Sequence, residues 1–234
     1  AAVGLVVSGT AMFSVGTVAG RVGYATFISS FIALIPMMMA AFAFGELTAM
    51  LPGGGMISDY TLPAMGRFWA TFSLLSGYVV LIATDGGAQL VIGGLAIQKM
   101  VGIPQLLVTL IMLLCVVIIN VFNVGIYGKV ETVITIFMMI LFATLSICGC
   151  SHLGELYTGA VPQNLNSSLK SDLNWSSILS NAGAAVWFFI GFEFACPMAE
   201  ENVKPYKNIP YALIFGLLTI YLVDSLFAFA AVRY

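Results

Sequence analysis

Charge is what this chain has least of. Only 8% of its 234 residues are Asp, Glu, Lys or Arg, and 61% are hydrophobic. A soluble domain carries about 25% charged residues. Eight basic and ten acidic side chains are too few to cover a water-facing surface. The mean hydropathy of +1.06 agrees. A soluble enzyme and a disordered chain are excluded, and the net charge of -2 leaves no basic footprint for nucleic acid. Histidine is nearly absent. The single His152 and the lack of a Gly-x-Ser-Gly motif exclude a Ser/His protease and a haem held by paired histidines. No enzyme activity, cofactor or metal is expected. Cys115, Cys148, Cys150 and Cys196 form no disulfide framework, and Cys148-Gly-Cys150-Ser-His152 has no second cluster to close a metal site. The alternating pattern of an outer-membrane barrel is missing. The chain opens inside an apolar stretch with no basic region, so it does not read as a signal peptide.

Long apolar runs are what is present. A bilayer core about 30 Å thick takes roughly 20 helical residues per crossing. Seven stretches qualify: 1–20, 27–51, 69–98, 103–124, 130–150, 178–198 and 211–232. They predict one all-α transmembrane domain over 1–234, with an extramembrane loop at 151–177. Basic residues divide evenly. Arg67, Lys129, Lys204 and Lys207 lie at one set of ends; Arg21, Lys99, Lys170 and Arg233 lie at the other. Discounting Lys170, which sits in the long loop, places the side with Pro52–Arg67, Gly125–Glu131 and Pro197–Pro210 in the cytoplasm. Two sequons, at Asn166 and Asn174, fall in the opposite loop.

Ionisable side chains at membrane depth are costly and face a cavity or a partner. Glu46, Asp85, Glu193 and Asp224 are the four carboxylates inside or at the ends of crossings. Glu46, a turn before Pro52, reaches the interface; Asp224, beside Ser225, is expected to bond a neighbouring helix. Asp85 sits mid-segment in Thr84-Asp85-Gly86-Gly87-Ala88-Gln89. Two readings stand for it: a hydrogen-bonded packing node, or a carboxylate facing a substrate cation. Gly191 and Glu193 interrupt the bulky run Trp187-Phe188-Phe189-Ile190, which predicts a broken helix. The first segment carries Ser8-Gly9-Thr10 and then Ser14-Val15-Gly16-Thr17. Interrupted helices in corresponding positions of two halves point to a transporter site.

Gly191-Phe192-Glu193 followed by Ala199-Glu200-Glu201-Asn202-Val203-Lys204-Pro205-Tyr206-Lys207-Asn208-Ile209-Pro210 resembles the sixth helix and following loop of APC-superfamily amino-acid permeases. Gly45-Glu46-Leu47 with Pro52-Gly53-Gly54-Gly55 is similar to that family's second-helix end and glycine-rich loop, and Asn120 to Glu131 to its fourth-to-fifth junction. The resemblance implies a LeuT-like inverted-repeat transporter fold. The chain would hold the first five-helix repeat plus the first two helices of the second, as a fragment of a longer protein.

The same resemblance implies site residues. The family's glycine-serine-glycine break falls on Phe13-Ser14-Val15, with Gly16 just after; only the serine matches. Ser14, Val15 and Gly16 would bind the substrate carboxylate. Trp187 matches an aromatic lying over substrate, Ile190 and Gly191 match positions whose backbone meets the amino group, and Asp85 matches a polar residue near the substrate side chain. Glu193 matches a glutamate of the proton-sensitive pathway. A fifth-helix lysine that replaces sodium in some relatives has no counterpart in Val130–Cys150. The implied function is secondary transport of amino acids or related amines across the cell membrane by alternating access. An Asp85-lined pocket would favour cationic amino acids or polyamines. The candidate coupling ions are H⁺ and Na⁺, and the remaining partner is the lipid bilayer. The alternative is a non-transporting sensor or receptor on the same scaffold; a retinal protein is excluded because 211–232 has no lysine.

Overall fold

A computed structural model of the chain describes residues 3–4, 6–121, 124–150 and 175–233. The sequons at Asn166 and Asn174, and His152, lie outside them. All regular structure among the described residues is helical. The main helices are α1 (Gly9–Val22), α2 (Thr26–Met50), α3 (Ile57–Met65), α4 (Arg67–Leu74), α5 (Val80–Val101), α6 (Gln105–Val121), α7 (Val124–Cys150), α8 (Trp175–Ala185) and α9 (Pro205–Arg233). A π turn, Leu75–Val79, joins α4 to α5, and a 3-10 turn, Gly23–Ala25, joins α1 to α2. Two further 3-10 stretches, Val186–Phe189 and Phe192–Glu201, follow α8.

Among the described residues, five stretches are long and apolar enough to cross a membrane: Gly9–Met50, Arg67–Val101, Val130–Cys148, Trp175–Glu200 and Pro205–Val232. The first, at 42 residues, would be about 63 Å long as one straight helix, roughly twice the bilayer core. The turn at Gly23–Ala25 divides it in two. Helix α6, Gln105–Val121, is also apolar.

Two elements begin earlier than the hydropathy pattern predicts. Pro205 opens α9 six residues before Tyr211, because a proline at the first helical position has its φ preset and lacks only an amide that would go unbonded there. Trp175, Ser176 and Ser177 form the first turn of α8 rather than the end of a loop.

The core lies along α1, α2, α8 and α9. Val15, Phe188, Phe189, Leu213, Leu217 and Ile220 are fully buried there. Helix α9 packs most extensively on α2, and then on α7 and α1. Gly45 permits part of this contact: a Cβ at that position would stand 3.1 Å from Pro210 Cβ. Outside the core, α4 to α7 expose large apolar side chains such as Phe68, Leu106, Ile118 and Phe137. Such a surface is stable against lipid tails and not against water. The chain is a multi-pass integral membrane protein.

The Pro52–Gly55 turn ties two ends together. The Gly54 N–H donates to Glu200 Oε1 (2.7 Å) and the Gly55 N–H to Asp59 Oδ2 (2.9 Å). Glu200→Ala removes one exposed, charge-assisted bond worth about 1 kcal/mol. Hydrogen exchange at the Gly54 amide is expected to quicken roughly fivefold, with the overall fold intact. An unchanged rate would mean that this bond does not hold the turn.

Candidate functional site

The sixth-segment break is present, and its chemistry is local. Ile190 is extended (φ -65°, ψ 131°) and Gly191 is left-handed (φ 111°, ψ -9°). A side chain at Gly191 would meet the steric penalty of that region, whereas glycine meets none. Glu193 steadies the kink from two residues on, its Oε2 accepting the Gly191 N–H at 3.0 Å. The carboxylate is thus used, at least in this conformation, as a cap on unwound backbone.

The first helix differs from expectation. Helix α1 runs unbroken through Phe13–Gly16, and the non-helical stretch lies before it, in the turns and bends of residues 3–4 and 6–8. Ser14 satisfies its hydroxyl inside the helix by donating to the Thr10 carbonyl (3.0 Å), and Thr17 does the same with Phe13 (2.8 Å). Small and polar residues at this spacing therefore read as a break in sequence and as ordinary helix in space. Val15 is fully buried in the core. Ser8 caps the helix, its Oγ accepting from the Ala11 N–H at 3.4 Å.

Several of the expected residues meet at that helix start. A cavity of about 40 Å³ is lined by Asp85 and Leu81 of α5, by Trp187, Ile190, Gly191 and Phe194 around the break, and by Val6, Ser8, Thr10 and Ala11. Asp85 thus shares a cavity with Trp187, Ile190 and Gly191; Ser14, Val15, Gly16 and Glu193 do not line it. Gln89, one helical turn after Asp85, donates to Thr10 Oγ1, which also lies 3.1 Å from Ser8 Oγ. Ser8, Thr10 and Gln89 were visible in sequence as polar groups in apolar runs, but a helix cap and a site leave the same signature.

A second cavity, about 450 Å³, adjoins the first. Phe13, Ser14, Thr17, Arg21, Gly183 and Trp187 are among its lining residues. Trp187 and Ile190 line both cavities and so form the partition between them. The larger one is within the usual range of a small-molecule pocket, about 300–1,000 Å³. A third, about 230 Å³, is lined by Gly4 and Val7–Gly9, Gln89 of α5, and Ile134, Thr135 and Met138 of α7.

Chemically the inner cavity offers one carboxylate, hydroxyls and unwound backbone. Free N–H groups at the start of α1 suit an anion. The Gly191 carbonyl accepts the Phe194 N–H at 3.2 Å, and the carbonyl of the extended Ile190 suits an ammonium or a metal cation. Asp85, half-buried on α5, adds a carboxyl group.

Comparison with known proteins agrees in kind. The family model described as amino acid permease matches residues 1–232. Among curated proteins, the glutamate/serine transporter AimA of Bacillus subtilis is 25% identical over 224 residues, covering 88% of this chain and 40% of that protein. The branched-chain amino acid permease BcaP of the same organism is 25% identical over 226 residues, covering 90% of this chain and 48% of its own. The chain spans less than half the length of either relative. No solved structure matches it. With the family pattern running from the first residue to the last helix, the chain belongs to the amino acid permease family.

Proposed function

We propose that this chain forms the substrate-holding half of a secondary transporter for amino acids or related amines in the cell membrane, working by alternating access. The observation that carries the reading is the shared cavity of Asp85, the start of α1 and the Ile190–Gly191 break. The break at Ile190–Gly191 and the start of α1 meeting at one pocket support a LeuT-like inverted-repeat arrangement. The start of α1 at Ser8–Thr10 takes the substrate carboxylate, the role assigned from sequence to Ser14–Gly16. Ser14 keeps a place in the outer cavity, with Gly16 beside it on α1. Carbonyls at Ile190 and Gly191 take the amino group. Trp187 stands between the outer and inner cavities, so its movement admits substrate. Glu193 links protonation to the shape of the break, because losing its charge weakens the bond to the Gly191 amide.

Asp85 sets the class of side chain. Left unpaired in a closing pocket, a carboxylate is costly, and a cationic side chain removes that cost. Arginine, lysine, ornithine or a polyamine is therefore favoured over the glutamate, serine and branched-chain amino acids for which the two relatives are named. Counterflow in proteoliposomes containing the full-length protein tests this with labelled arginine, lysine, putrescine, leucine, serine and glutamate. Accumulation of the cationic members is expected. Accumulation of only neutral or acidic ones would keep the transporter and remove Asp85 from substrate selection, and silence across the panel would sink the transport reading.

A further inference from the structure

Helix α9 carries an apolar stripe with one acid in it. Leu213, Leu217, Ile220, Asp224 and Ala228 follow one another at helical spacing, and every one of them is at most 2% exposed. Asp224 lies near the middle of the expected span 211–232. Three residues to either side, Tyr221 meets the edge of Phe31 on α2 (6.2 Å) and Phe227 meets the edge of Phe142 on α7 (5.9 Å). Among the described residues, neither carboxylate oxygen of Asp224 has a hydrogen-bond partner, and nor does the Ser225 hydroxyl. The bond to a neighbouring helix expected from sequence is not made. Both oxygens are also closed off from solvent, so a helix outside this chain reaches them only if α9 moves.

No charged side chain among the described residues acts on Asp224; burial alone does. On α2, Glu46 follows Gly45, which packs against Pro210, fourteen residues and about 21 Å down α9. On α7, Glu131 precedes Phe142 by eleven residues, about 16 Å, and approaches Gly4; Cys148 is exposed beyond it. On α1, Arg21 lines the outer cavity. Beside the break, Glu193 is held by the Gly191 amide and Glu200 by Gly54, while Cys196 is buried at the level of Thr48 and Tyr60. Tyr24 packs against Phe229 with its ring tilted by 49°, and α8 has no titratable group.

An isolated carboxylate anion in such a place costs several kcal/mol, and the neutral acid avoids this. A sodium ion would need several further oxygen ligands, which the apolar stripe does not supply. We propose that Asp224 is a proton-binding site, holding one proton while α9 is packed on α2 and α7 and releasing it to water when that packing opens. The coupling that follows rests on the transport reading above: closing from the outward-open state takes up one proton from the outer water, and opening to the inside releases it there, so each cycle carries one proton across the membrane and a proton gradient drives it.

Two measurements on the full-length protein test this, and they fail separately. The infrared spectrum at neutral pH is expected to show a carboxylic-acid C=O band that Asp224→Asn removes; asparagine has nearly the shape of the neutral acid, so folding is preserved. Absence of that band overturns the site whatever the protein transports. In proteoliposomes with an acid exterior, Asp224→Asn is expected to lose at least tenfold of gradient-driven accumulation while counterflow stays within twofold of wild type. Undiminished accumulation in the variant overturns the coupling. A wild-type protein that shows the band and gives no counterflow sinks the transport reading and leaves the site standing.

Discussion

Asp85→Asn is expected to weaken arginine and lysine selectively, by about 30-fold in apparent affinity, with leucine and serine changed by less than about threefold. The size follows from removing one partner of a desolvated charge pair, about 2–5 kcal/mol, taken at its lower end because Asp85 is half-buried. Each 1.4 kcal/mol is tenfold. The amide keeps the size and one acceptor of the carboxylate, so helix packing is preserved and only the charge is lost. Competition against a fixed labelled substrate reads the effect directly. Equal weakening of every substrate would make Asp85 a packing node in α5, the other reading its sequence context allows. An unchanged profile would place it outside the site.

Gly191→Ala acts differently, on all substrates at once. Gly191 has φ 111°, where a residue with a Cβ is strained by about 1–3 kcal/mol. That strain falls on the conformation that exposes the Ile190 carbonyl and lets the Gly191 N–H reach Glu193. A fall of about tenfold or more in counterflow is expected for every substrate, without a change in their order. Gly20→Ala is the matched control: Gly20 is exposed on α1, with nothing within 4 Å of where the added methyl group would stand, and alanine there favours the helix by about 1 kcal/mol. Transport by the control should match wild type. A Gly191→Ala protein with normal counterflow would show that the break does not need its left-handed residue.

How legible each part was depends on the range of the forces behind it. The break at Gly191 could be read because its cause is one residue long: a glycine and an acid among bulky side chains. The interruption near α1 could not be read correctly. Ser14-Val15-Gly16 and Ser8-Gly9-Thr10 look alike in a linear string, and both hold hydroxyls. Inside a helix a hydroxyl donates back to a carbonyl four residues earlier, as Ser14 and Thr17 do. At a helix start it accepts an amide, as Ser8 does. Which of the two happens depends on what packs around each, and α1 is continuous helix, with Val15 in the core, where the sequence suggested a gap.

The sequence by itself determined the solvent and the building material. A chain with 8% charged residues and repeated apolar runs has its backbone satisfied in lipid only as helices, and this follows from composition and spacing without any knowledge of contacts. It also supplied the family pattern, since the motif after the sixth segment is contiguous. Tertiary structure alone decided which polar groups meet. Asp85, Thr10 and Gly191 are separated by long stretches of chain and share one cavity, whereas Asp224, equally polar and more deeply buried, has no hydrogen-bond partner among the described residues. An isolated carboxylate and a paired one have the same letter; burial and neighbours set their chemistry, and those exist only once the helices are packed.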